Sequence, residues 1–205
     1  MRTGRPRSFD RDQALEAAVA VFWEHGYDAT SIAMLTKALG ITAPSLYAAF
    51  RDKRTLFLEA LDRYLTGYAA FTTEALAAEP HTRDAVERLL REAAVAYTRP
   101  DRPQGCLLIT ATTNCGPQSA DVAEHLRTLR AAGVEALRTK LRQATRNGEL
   151  PERTDTRALA RFYSAVLQGM SAQARDGATR ADLQHIAQNA LRAWPATSSR
   201  PGGRR

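Results

Sequence analysis

The chain has 205 residues, a net charge of +7 from 29 Lys/Arg against 22 Asp/Glu, and a hydrophobic share of 44%. That length suffices to bury a real core, and the composition excludes a disordered chain. No apolar run approaches the roughly 20 residues of a membrane helix. The start MRTGRPRSFDRDQ lacks the apolar segment of a secretory signal, and Cys106 and Cys115 are too few for a disulfide scaffold, so a cytoplasmic protein is expected.

The charge is concentrated at the ends. Arg2, Arg5 and Arg7 at the start, and Arg200, Arg204 and Arg205 at the finish, account for six of the seven net charges. The body, 8–199, is therefore close to neutral, and the total does not by itself reveal a basic folded surface. Within the body, 38 Ala and 22 Leu stand against 11 Val plus Ile, with no alternating strand pattern. Ala and Leu lose little freedom in a helix, whereas β-branched residues suit strands, so the fold class is all-α.

In chain order, Asp10 is placed to cap a first helix that buries Leu15, Ala18, Val19 and Phe22 and closes at Gly26. The stretch 27–53, YDATSIAMLTKALGITAPSLYAAFRDK, then holds two short helices. Thr30 or Ser31 caps the first, whose inward residues are Ile32, Leu35 and Leu39; Gly40 ends it in the left-handed region. Thr42 caps the second, Pro44 sits in its tolerant first turn, and Leu46 and Phe50 bury it. Ala43, Ser45, Tyr47, Ala48 and Ala49 are left on its outer face. This spacing suits either an ordinary αα-hairpin of a bundle or a helix-turn-helix that reads a major groove.

The residue types fit the second alternative. Small side chains let a helix backbone approach base edges, and the Ser45 hydroxyl can meet either kind of base partner. Thr30, Thr42, Tyr47 and the free N–H groups at the helix starts suit phosphate oxygens. Arg51, Lys53 and Arg54 follow as the densest basic cluster of the body.

A long helix is expected from Lys53, with Phe57, Ala60, Leu61, Tyr64, Tyr68 and Phe71 along one side. Further helices follow at about 82–98, about 104–114 and about 119–147. The last two carry broad apolar stripes: Leu159, Phe162, Tyr163, Val166, Leu167 and Met170, then Leu183, Ile186, Ala187, Ala190, Leu191 and Trp194. Such stripes face either the protomer's own core or a four-helix dimer interface, for which Leu159, Val166, Met170, Leu183, Ile186, Ala190, Leu191 and Trp194 are the candidates.

From Phe9 to Leu65 the motifs F-D, A-x-x-x-F-W-x-x-G-Y-x-x-T-S and A-L-G-I-T-x-x-S-L-Y-x-x-F-x-D-K-x-x-L-F resemble those of the TetR (tetracycline-repressor) family of bacterial transcriptional regulators. The resemblance implies about nine helices. They comprise a basic arm (1–8), a three-helix DNA-binding domain (9–53), a helical ligand-binding and dimerisation domain (54–195) and a basic tail (196–205). It implies a homodimer that binds a palindromic operator in double-stranded DNA and is released by a small hydrophobic or electrophilic effector. An activator or a ligand-independent regulator is the alternative within the same family.

The resemblance also places Thr30 and Ser31 at the head of the support helix and Thr42 to Phe50 in the recognition helix. Tyr47 matches a phosphate-contacting Tyr, and Lys53 the basic residue that opens the next helix. Ala49 stands where a His is usual, which removes one possible contact, and Thr36 where a small apolar residue is usual. The effector cavity is expected to draw on Tyr64, Tyr68, Phe71, Ile109, Thr110, Thr113, Leu126, Leu129 and Phe162. Cys106, in GCLLITATTN, resembles a Gly-Cys found in one subgroup of the family, some of whose members sense electrophiles; a small buried hydrophobe is its other reading.

No enzyme motif is present, His25, His81, His125 and His185 are scattered, and neither a cofactor nor a membrane partner is expected. The remote alternative is a helical-bundle enzyme or a metal protein using Cys106, Cys115 and His125. The GRPR arm suits either a flexible terminus or the narrow minor groove of A·T tracts. Deleting residues 1–7 is expected to flatten the salt dependence of DNA binding more than it alters sequence preference, measured by titrating duplexes of differing sequence at several salt concentrations.

Overall fold

A computed structural model describes residues 9–111 and 115–196. Among these the chain is all-α: α1 (Arg11–Ala29), α2 (Ile32–Leu39), α3 (Ala43–Phe50), α4 (Lys53–Thr66), α5 (Phe71–Ala78), α6 (Thr82–Tyr97), the four-residue α7 (Leu107–Thr110), α8 (Ala120–Arg146), α9 (Thr156–Arg175) and α10 (Arg180–Arg192). A 3-10 turn, Pro117–Ser119, leads into α8. The residues fall into two compact units. Of the described residues, the first holds 9–69, 100–111 and 115–127, and the second 70–99 and 128–196.

In the first unit α1 packs on α2, α4 and α7. The Asp10 carboxylate accepts from the N–H groups of Asp12 and Gln13 at 2.9 and 3.2 Å, which satisfies donors the helix leaves open. Phe22, Val19 and Ala18 are fully or almost fully buried, as the spacing requires. Phe22 meets the edge of Phe57 with ring centres 5.0 Å apart, and Trp23 meets Tyr64 at 4.7 Å. Gly26 ends the main run of the helix, as expected. Its backbone adopts φ 75° and ψ −176°, a conformation a side chain resists, and a short helical turn, 27–29, follows across the kink.

The long helix expected from Lys53 through Phe71 is in fact broken. Gly67 closes α4, its N–H donating to Arg63 O at 3.0 Å. The Tyr68 hydroxyl is drawn to Glu16 on α1, and Phe71 opens the separate helix α5. The helix expected over 104–114 is likewise shorter. Gly105 adopts φ 77° and Cys106 is extended, so among the described residues of this stretch helical geometry spans Leu107–Thr110. Thr113 lies outside the described residues, as do Arg2, Arg5, Arg7 and 197–205.

In the second unit α6 packs on α5, α9 and α10. Its inward face, Ala85, Val86, Leu89, Leu90, Ala93, Ala94 and Tyr97, recurs with helical period and is buried throughout. The Glu149 carboxylate caps α6 by accepting from Thr82 N–H at 2.7 Å, and Lys140 Nζ donates to Glu79 O at 2.6 Å. A capping box of Thr179 and Asp182 opens α10. Tyr163, fully buried on α9, donates to Ala190 O at 3.4 Å; burial pushes its phenol up to about 12, so it remains protonated.

This core divides the apolar stripes. Met170, Leu183 and Ala190 are buried within the protomer and are corrected from interface to core. Phe162, expected in a ligand cavity, is instead 39% exposed and lines a groove with Pro151, Ala158, Leu159, Ala193 and Pro195. Leu159, Val166, Ile186, Leu191 and Trp194 are half-buried. Leu183→Ala is therefore expected to cost about 2–5 kcal/mol of stability in urea unfolding.

Candidate nucleic-acid interface

Two short helices carry the site. Ser31 opens α2, its hydroxyl accepting from Met34 N–H at 3.1 Å, and Gly40 ends that helix in the left-handed region at φ 64°. Thr42 opens α3 by accepting from Ser45 N–H at 3.3 Å, with Pro44 in the first turn. The turn at Gly40–Thr42 bends α3 by 90° from α2. Leu35, Leu46 and Phe50 are fully or almost fully buried and fix that angle.

The outer face of α3 is narrow and small. Tyr47 is 47% exposed, Pro44 and Ala48 are exposed, and Ala43, Ser45 and Ala49 are half-buried. The hydroxyls of Thr42 and Ser45 lie 3.0 Å apart, so one hydrogen-bonded pair marks the start of the helix beside its free N–H groups. Positive partial charge from those groups and an exposed phenol beside alanines form a surface suited to a phosphate backbone and to close approach at base edges.

Thr30 departs from the expected role. Its side chain is fully buried, and its hydroxyl donates to Gly26 O at 2.6 Å, closing the kink at the end of α1. Ser31, next to it, is exposed and remains a candidate.

The basic cluster is also more constrained than its sequence implies. Lys53 Nζ stands 4.5 Å from the centre of the Tyr27 ring and donates to Asp28 O at 3.4 Å. Burial pushes the Lys53 ammonium down from its ordinary range, against the opposing pull of Asp28 and Cys115. Arg54 Nε donates to the Asp121 carboxylate at 2.5 Å, which raises the arginine and holds the aspartate below its usual range. Arg51, at φ 70° between α3 and α4, and Lys37 in the last turn of α2 are exposed. Lys37 had no signal beyond its charge.

The expected effector residues are distributed over both units. Tyr64, Cys106 and Leu126 are buried in the first, where Ile109 and Thr110 are half-buried. Tyr68 lines an open cleft of about 370 Å³ with Gln13, Glu16, Trp23 and Arg102, the guanidinium lying 4.6 Å from the centre of its ring. Phe71 packs against Tyr97 in the second unit, to which Leu129 also belongs. Cys106, Cys115 and His125 form no metal centre: among the described residues no three His, Cys, Asp or Glu side chains are grouped to hold an ion. No single described helix is long and apolar enough to cross a membrane.

The profile for bacterial regulatory proteins of the tetR family matches residues 14–60, which hold this bent pair of helices, and the tetracyclin repressor-like C-terminal domain matches 83–190. The chain belongs to the TetR family.

It is 40% identical to the HTH-type transcriptional repressor ComR of Escherichia coli K12, over 94% of this chain and 92% of that protein. It is 34% identical to the repressor BdcR of the same organism, over 85% and 83%. Among solved structures, the TetR family regulator CifR, a cysteine mutant complexed with 26-bp double-strand operator DNA, superposes with a TM-score of 0.89. Its identity is 42%, and the match covers 94% of this chain and 100% of that one. The chain is accordingly a DNA-binding transcriptional regulator and not an enzyme.

Within this TetR-family chain, Tyr47 supplies the most exposed large side chain of α3. Tyr47→Ala is expected to weaken binding to specific and nonspecific duplexes by a similar factor while leaving helicity unchanged, as fluorescence anisotropy and circular dichroism will show.

Proposed function

We propose that the chain is a homodimeric cytoplasmic repressor that binds a palindromic operator through Ser31 and the α3 face, and leaves it when a small hydrophobic molecule binds. The observation that carries this reading is α3 itself. It is capped by Thr42, set at a right angle to α2, and presents Tyr47 among small residues. The relatives ComR and BdcR are repressors by name, and CifR binds operator DNA as a duplex.

A single α3 reads only a few base pairs, so specificity against a genome calls for two. Two-fold symmetry then demands an inverted repeat with half-sites about 34–36 Å apart, or a multiple of that spacing. The apolar groove around Phe162, Leu159 and Ala158, with half-buried Val166, Leu191 and Trp194 on the same pair of helices, supports an isologous helical interface.

Release requires an effector that binds the low-affinity conformation better than the DNA-competent one; operator affinity falls by that ratio. Cys106 is only 8% exposed at the head of α7, which limits access by reagents and favours a hydrophobic effector acting by occupancy over an electrophile.

The test is a gel shift of pure protein on an inverted repeat beside its own gene. Retarded complexes of dimer stoichiometry are expected, and failure to bind any palindromic duplex at low salt overturns the reading. Cys106→Ser is expected to bind and to be released as the parent is. Loss of release in that variant alone would replace occupancy with thiol chemistry.

A further inference from the structure

The side chain of Asp28 is used from a part of the chain nearly ninety residues away. Asp28 lies in the last turn of α1, two residues past the Gly26 kink and three before Ser31. Its Oδ2 accepts from Gly116 N–H at 2.5 Å and from Gln118 Nε2 at 3.3 Å, and its Oδ1 accepts from the Ser119 hydroxyl at 2.5 Å. Ser119 is buried, and these groups form the turn that begins α8.

The carboxylate thus does for that turn and the start of α8 what a local N-cap does elsewhere, but from another element of the same unit. Its own main-chain oxygen accepts from Lys53 at the head of α4. Two residues further into α8, Asp121 holds Arg54. The elbow between α1 and α2 is therefore held from three sides: by Gly116–Ser119, by Lys53 and by the internal bond from Thr30 to Gly26.

We infer that Asp28 is a positioning residue for DNA binding, a clamp through which the Gly116–Ser119 turn fixes the α1–α2 elbow and, with it, Ser31 and Lys53. The inference rests on the DNA-binding reading of α2 and α3. Asp28 need touch no nucleic acid; it acts by removing freedom from groups that do. Binding to a chain already ordered avoids the cost of ordering it at the moment of contact.

The sign of the effect separates this role from plain electrostatics. Removing a carboxylate near a polyanion strengthens binding by Coulomb attraction alone. The clamp predicts the reverse.

The experiment compares the parent chain with Asp28→Ala, Ser119→Ala and the double variant. The probe is a duplex that the parent chain selects from random DNA, and thermal melting is followed in parallel. Asp28→Ala is expected to weaken binding by about tenfold, a typical coupling. Ser119→Ala, which changes no charge, is expected to weaken it less, and the double variant to match Asp28→Ala alone, because the two share one interaction.

Binding by Asp28→Ala that equals or exceeds the parent's overturns the clamp alone. Failure of the parent to bind any duplex overturns the DNA-binding reading and the clamp together. If Asp28→Ala does not fold, Ser119→Ala decides: weakened binding with an unchanged melting point supports the clamp, and parental affinity overturns it.

Discussion

The first unit is organised around α1, and the position of α3 follows from that. Phe22 and Trp23 enter the core side by side and meet Phe57 and Tyr64 of α4 edge to face. These are large surfaces, and edge-to-face pairs add about 0.5–1.5 kcal/mol each beyond the area they bury. With α4 fixed on one side and α2 on the other, α3 is the short segment strung between two anchored neighbours. Leu46 and Phe50 then suffice to seat it, and its remaining positions are released from packing. A binding face of small residues is affordable only because α1 supplies the core that α3 does not.

What was legible in the sequence was local. The caps at Asp10, Ser31 and Thr42 each reach two or three residues along the chain, and each forms as its residue type predicts. The same holds for Gly40, whose left-handed φ is the ordinary way to end a helix before a sharp turn. Gly26 likewise breaks the run of α1 where an apolar stripe meets a glycine. The short turn after it, 27–29, is tied back by the Thr30 hydroxyl bonding to Gly26 O, a contact with no local signal. The break at Gly67 was hidden for a related reason: Tyr68 and Phe71 continue the period of α4, yet Tyr68 is drawn to Glu16 on a different helix.

Longer-range features left no local trace. Periodicity marks an apolar stripe but not what lies against each edge of it. Hence Met170, Leu183 and Ala190 belong to the core while Phe162, on the same pair of helices, stays exposed. Thr30 shows the converse. A threonine beside a cap serine has the chemistry of a phosphate contact, and only its burial assigns it to the fold. Asp28 carries no motif at all, since its meaning lies in Gly116 and Ser119, which are remote in sequence and unremarkable in type.

The electrostatics of the interface change character once side chains are placed. The body is nearly neutral by composition, and its densest basic cluster is partly occupied: Arg54 by Asp121, Lys53 by the Tyr27 ring and a carbonyl oxygen. A phosphate contact made by a neutral hydroxyl or a backbone N–H displaces no lysine or arginine charge onto the DNA, and so adds little to counterion release. In the proposed reading the Ser31 and Thr42 helix starts and the Tyr47 phenol would be contacts of that kind. They would position the protein by geometry, not by attraction at a distance. Recognition by the folded body should therefore be comparatively insensitive to salt, with the steep salt-dependent component carried by exposed Arg51 and Lys37 and by the arginines of the arm. Under the proposed function, the +7 of the chain would govern how fast and how widely it samples DNA, while the nearly uncharged face of α3 would govern where it stops.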